Sequence, residues 1–227
     1  MANLYFYPSN SFSGEWGDLN NWWSDSGFTV QASALPTSND NVFIHRSVYD
    51  NENITRIVNT FTCQANVNTF VNVTANSFIF NAGEVSGVVN GDVTFYNYAY
   101  NGGTINGNCQ FYNNSNNSTT INGYATFHDS SRNAGTVSNA TFNDSSLNMW
   151  YVTFDAIFND YSINSAEVSR HATFNDYSYN QGAIIGDATF SLTSAHTMII
   201  GGFIGIYGNV KFKYEKGING SSILGIV

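Results

Sequence analysis

The chain has 227 residues, enough to bury a sizeable core in one large domain. Only 10% of them are charged and the net formal charge is −9, so no basic surface exists to neutralise phosphates, which argues against nucleic acid as a partner. Asparagine occurs 34 times, a bias common in disordered tracts, yet apolar positions recur in register and 16% of the chain is aromatic, so an ordered fold is expected.

Residues 1–41 differ in composition from the rest of the chain. The opening MANLYFYPSN has no basic stretch followed by an apolar one, so no secretory signal is expected. The segment GEWGDLNNWWSDSGF then brings together Trp16, Trp22 and Trp23. Residues 42–90 alternate apolar and polar side chains in short runs, with VFI at 42–44, Phe61, Phe70 and SFIF at 77–80, and they read as irregular early repeats.

From residue 89 to 200 the sequence repeats about every sixteen residues. Phe95, Phe111, Phe127, Phe142, Phe158, Phe174 and Phe190 follow one another at steps of 16, 16, 15, 16, 16 and 16. Two residues before each stands a small apolar side chain: Val93, Cys109, Ala125, Ala140, Ala156, Ala172 and Ala188. Ten residues after each comes an aliphatic: Ile105, Ile121, Val137, Val152, Val168, Ile184 and Ile200. Asn101, Asn117, Asn133, Asn148, Asn164 and Asn180 fall six residues after each of the first six phenylalanines, and His196 ends that column. Sixteen is not a whole number of 3.6-residue turns, and Gly, Asn, Thr and β-branched residues oppose a helix. The alternation in Ala-Thr-Phe is that of a strand with one buried face.

Two short strands and two turns per repeat, stacked coil on coil, predict an all-β fold. It is a single-chain parallel β-solenoid, or β-helix, of about 16 residues per coil. Right-handed winding is expected of parallel crossovers. Equivalent residues then lie about 4.8 Å apart, so Phe stacks on Phe and Asn on Asn. The Asn column is expected at a coil corner, its amides bonding from turn to turn.

In this reading residues 1–41 form an N-terminal cap or attachment segment, with the tryptophans protecting the open end or offering a sugar platform. Residues 42–205 are the solenoid. Residues 206–227 form a C-terminal β segment that caps the rod or contacts a neighbouring subunit, making a homo-oligomer the expected state. There Val-Lys-Phe-Lys-Tyr reads as an edge strand guarded by lysines, and the apolar ILGIV end needs burial. The longest apolar stretch, MIIGGFIGI at 198–206, falls short of the roughly 18 residues of a membrane span.

Little in the repeat suggests catalysis. His45, His128, His171 and His196 occupy unrelated phases, so no enzyme, cofactor or metal centre is expected. Cys109 belongs to the small apolar column and is expected as a buried thiol with no bridge to Cys63. Asp129, Asp144, Asp160 and Asp176 form a carboxylate column that fits either turn-making or a cation held between coils. The threonine rank at 94, 126, 141, 173 and 189 is broken by Gln110 and Ile157, which argues against an ice-binding face. Tyr98, Tyr161 and Tyr177 share one phase and are candidate glycan contacts, or else shields for ladder edges.

The repeats NGYATFHDSSRNAGTV, SNATFNDSSLN and RHATFNDYSYNQGAIIGDATF resemble the FND-type solenoid repeats of tailed-phage virion proteins, tail fibres among them, and of large bacterial surface proteins. GEWGDLNNWW followed by LPTSNDNVFI is similar to the start of many bacterial surface solenoids, and KFKYEKGINGSSILGIV resembles a phage structural-protein ending. The resemblance implies a virion structural protein, made in the host cytoplasm and displayed as tail fibre, spike or capsid decoration. Its partners would be other virion proteins and a host-surface glycan. The second implication is a bacterial surface adhesin or carbohydrate-binding module, located outside the cell and needing an export signal or anchor that a virion protein does without.

Overall fold

The computed structural model describes residues 1–64, 67–192, 206 and 208–214. Within them the chain is a parallel β-solenoid whose strands fall into two sheets. The coil that starts at Ala172 shows how the sequence makes one turn. Ala172–Phe174 is a strand paired in parallel with Ala156–Phe158 behind it and Ala188–Leu192 ahead of it. Asn175–Ser178 closes a tight turn, in which the Ser178 N–H donates to the Asn175 carbonyl at 3.1 Å. Asp176 holds the left-handed conformation there, at φ 54°. Tyr179–Asn180 is the second strand. Ile184 bridges Val168 and Ile206 on the return path.

Each coil therefore contains three extended segments, one more than the repeat pattern predicts. The additional segment is the Asn strand, which builds a 10-stranded sheet of its own. The Phe and aliphatic segments lie side by side in a 17-stranded sheet. The Asn column ends each of these short strands with its side chains turned inward: Asn101, Asn117, Asn133, Asn148 and Asn164 are fully buried. Side-chain parity explains why. Counted from each Phe, the positions at −2, 0, +4, +6 and +10 face inward, and all are even, as a period of two requires. The left-handed residue at +2 breaks the rule and turns outward, and so do Trp150 at +8 and Phe154 and Arg170 at +12.

Seven phenylalanines stack along the axis, with neighbouring centroids 4.7–4.9 Å apart from Phe95 to Phe190. Burying each ring contributes about 1.5–3 kcal/mol. A column that the repeat pattern does not mark as core lies beside them: Ser115, Ser131, Ser146 and Ser162 are fully buried at +4, where the first regular coil has Ala99.

The single 15-residue step also has a visible cause. Between Val137 and Ala140 the corner lacks one residue, so Thr136–Phe142 runs as one continuous strand. Its partner Thr120–Phe127 absorbs the mismatch as a register shift between Ile121 and Tyr124. That partner keeps Gly123 at the corner, where a Cβ would meet the Gly107 carbonyl oxygen at 2.2 Å.

Pairing begins ahead of residue 42. Asn3–Phe6 pairs in parallel with Asn41–Ile44, and Ser13–Glu15 with Ser47–Tyr49, so the N-terminal segment is itself a coil. Trp22–Trp23 then closes the open edge by pairing antiparallel with Asn3–Phe6. Trp16 and Trp22 are buried in edge-to-face contact at 4.8 Å, and Trp16 lies over Phe61. Their burial fits a cap and leaves those two rings no face for a sugar. At the other end Val210–Tyr214 adds one more parallel strand, Val210 opposite Ala188. Ile200, His196, most of MIIGGFIGI and the ILGIV end lie outside the described residues.

Candidate functional site

The inner columns are structural. Asn101 Nδ2 donates to Asn117 Oδ1 at 2.7 Å, and the same bond repeats through Asn133, Asn148 and Asn164 to Asn180 at 2.7–2.9 Å. The amides also serve the backbone two residues on: Asn164 Nδ2 donates to the Ala166 carbonyl, and Asn133 Oδ1 accepts from the Gly135 N–H. A buried polar column is stable only when its groups are bonded in this way. The Ser131, Ser146 and Ser162 hydroxyls have no protein partner, so those three side chains fill space. Cys63 and Cys109 are both free thiols, and burial raises the pKa of each.

The Asp column makes turns. Asn97, Asn113, Asp129, Asp144, Asp160 and Asp176 all have φ between 54° and 61°, a conformation Asn and Asp tolerate best among residues with a side chain. One carboxylate oxygen of Asp129 accepts the Asn113 N–H from the preceding coil at 2.8 Å, and Asp144 and Asp160 repeat the bond. Among the described residues no group of three His, Cys, Asp or Glu side chains is placed to hold a metal. The opposite corner runs a matching ladder in the other sense, from Asp92 accepting the Asn108 N–H to Asp155 accepting that of His171.

Of the three candidate tyrosines, the structure brings two together. Tyr161 and Tyr177 stack at 5.0 Å with their rings 6° from parallel. Tyr98 stands four coils away, 78% exposed, with Asn114, Ser130 and Ser145 at the intervening positions. One further aromatic column shares the turn with them. Tyr96 stacks on Tyr112, and Tyr112 on His128, after which the same position becomes a ladder of Asn143, Asn159 and Asn175 amides. His171 Nδ1 accepts the Asp187 N–H, a structural bond.

The most unusual outward cluster is Met149, Trp150, Tyr151 and Phe154, all exposed in one coil. Trp150 and Tyr151 meet at 82° with centroids 5.4 Å apart, and the Arg170 guanidinium lies 5.8 Å from the Phe154 ring. The sequence signal for this cluster is a break in the repeat: Trp150 replaces a column of Gly103, Thr119, Gly135, Ala166 and Gly182.

No helix among the described residues is long and apolar enough to cross a membrane. No family model, curated protein or solved structure matches the chain.

Proposed function

We propose that the chain is a structural protein of a tailed-phage virion, displayed on the particle as tail fibre, spike or capsid decoration. The observation that carries this reading is the unbroken stack of regular coils from Val93 to Leu192, each pinned to the next by rings, amides and backbone ladders. Such a stack gains stability with every added coil and gives a stiff rod whose inner bonds are closed to solvent. The repeat sequences that resemble virion FND repeats supply the particle. The rod would attach to other virion proteins, self-associate as a homo-oligomer, and present its polar sides to the medium. The function is then mechanical and adhesive, with no chemistry assigned to its histidines or carboxylates.

Mass spectrometry of purified particles tests this directly. Recovery in intact virions is expected; a copy number comparable with the major capsid protein would mean decoration, and a small fraction of it a fibre or spike. Recovery only in cell envelopes or culture medium would overturn the virion reading.

A second reading, a glycan-binding surface protein, is favoured by one feature, the exposed aromatic side chains on an otherwise polar rod.

A further inference from the structure

We propose that the corner at Trp150 is a saccharide-binding subsite in which one sugar ring stacks on the indole. The proposal deepens the glycan-binding reading above and rests on it.

In the neighbouring coils this corner position is held by small residues because the backbones approach closely. A Cβ at Gly135 would meet the Thr119 carbonyl oxygen at 2.1 Å, and one at Gly182 would meet that of Ala166 at 1.9 Å. At Trp150 the chain instead carries its largest side chain and turns it outward, 51% exposed. Gly135 lies one coil before and Ala166 one coil after, and neither carries a ring that could stack on the indole.

Polar groups suited to sugar hydroxyls stand at the Tyr151 position in the coils on either side. Glu167 occupies the position of Tyr151 in the next coil, as the 3.0 Å bond from the Val152 N–H to the Glu167 carbonyl fixes. The Ser169 hydroxyl holds one of its carboxylate oxygens at 2.9 Å and leaves the other to accept hydrogen bonds. Thr136 holds the position of Tyr151 one coil before. Trp150 and Tyr151 thus form an L-shaped aromatic corner bordered by a carboxylate and hydroxyls. An apolar face with a few placed polar groups is the chemistry that recognises a pyranose, whose C–H face stacks on a ring while its hydroxyls donate sideways.

The scale favours a sugar over a protein. Along the axis the aromatic corner is one coil high, about 4.8 Å, between Gly135-Thr136 and Ala166-Glu167. Two side chains in one coil are far fewer than the roughly 20–30 residues a side of a stable protein interface. The tyrosine pair is the poorer candidate, since Tyr161 and Tyr177 cover each other's faces.

The full chain should be applied to an array of lipopolysaccharide and cell-wall oligosaccharides, and each retained oligosaccharide titrated by tryptophan fluorescence. Trp16 and Trp22 are buried and the Trp23 indole N–H is bonded to the Tyr7 carbonyl, so a binding-induced shift of emission that is absent in Trp150→Ala reports Trp150. Trp150→Ala is expected to fold, because Ala166 holds the same position one coil on, and to weaken binding roughly tenfold or more. Glu167→Gln should weaken it about threefold, as loss of a charge-assisted bond does. Binding that leaves the emission of the unmodified chain unchanged would overturn the proposal without reference to any variant. Binding that survives Trp150→Ala but is lost in Tyr161→Ala or Tyr177→Ala would overturn this site and keep the glycan reading. Retention of no sugar would overturn both, leaving the particle assay to judge the structural role.

Discussion

From Phe95 to Phe190 successive rings lie nearly parallel, with interplanar angles of 4° to 12°. Around Trp22 at the capped end, Phe6 and Trp16 meet it edge to face at 69° and 70°. The difference comes from coil length. In the regular region the step is constant apart from one residue, so each side chain meets a copy of itself at the strand spacing, and stacks and amide ladders form together. At the capped end the registers Val42 to Phe61, Phe61 to Phe78 and Phe78 to Val93 step by 19, 17 and 15 residues. One amide ladder still runs there, from Asn3 through Asn41 and Asn59 to Asn76 at 2.8–3.0 Å. Phe61, however, meets Phe78 and Phe80 at 42° and 35°, and the parallel ring stack is lost. Other contacts are made individually, as in the Arg56 fork on Asp50 at 2.6 and 2.9 Å.

The comparison can be broken hardest at the centre of the ring stack. Phe127→Ala opens a cavity between Phe111 and Phe142, which lie 4.7 and 4.8 Å from the ring, and is expected to cost about 3–5 kcal/mol in urea unfolding. Asn133→Ala comes next. It leaves one N–H of the Asn117 amide, whose other N–H donates to the Thr119 carbonyl, and the Asn148 Oδ1 buried without partners, at about 1–3 kcal/mol for each group. An unchanged midpoint would mean the ladder is decorative. Ser146→Ala should reverse the sign: its buried hydroxyl has no partner, so the change is expected to be neutral or to stabilise by about 1 kcal/mol.

Acid should find the capped end first. His45 sits against the Phe28 and Tyr5 rings beside Arg46, its Nε2 is buried without a partner, and burial holds its pKa below the ordinary 6.5. The unfolded chain therefore takes up the proton first as the pH falls. Stability from this residue is intact above about pH 6.5 and is lost as the pH drops through the folded-state value. His45→Phe should flatten the pH dependence of the melting temperature in that window, and an identical slope in the variant would refute the assignment. The smallest effect is expected outside the rod. Tyr177→Ser should change stability by about 0.5 kcal/mol or less, because Ser130 and Ser145 already stand at that position in other coils.

Much of the fold is legible in the repeat. The step of sixteen residues identifies the Phe, small apolar and aliphatic columns, and the structure buries all of them among the described residues. The inward Asn column is legible in principle, since six residues from Phe is an even number, yet the turn between them hides the parity. Ser at +4 does not stand out as core because a hydroxyl reads as surface. The N-terminal coil cannot be seen, because Asn3–Phe6 and Ser13–Glu15 pair with partners more than thirty residues away at a spacing the repeat does not share. For the candidate site, the break at Trp150 is visible as an irregular coil, but its exposure and its angle to Tyr151 are not.

The sequence by itself determined which residues share a column, because a constant coil length forces equivalent positions to the same place along the axis. Only the tertiary structure decided where the columns point. At each corner the direction depends on backbone torsions, such as the left-handed turn at Asp176, and one such residue sends a side chain to the solvent while its even-numbered neighbours stay inside.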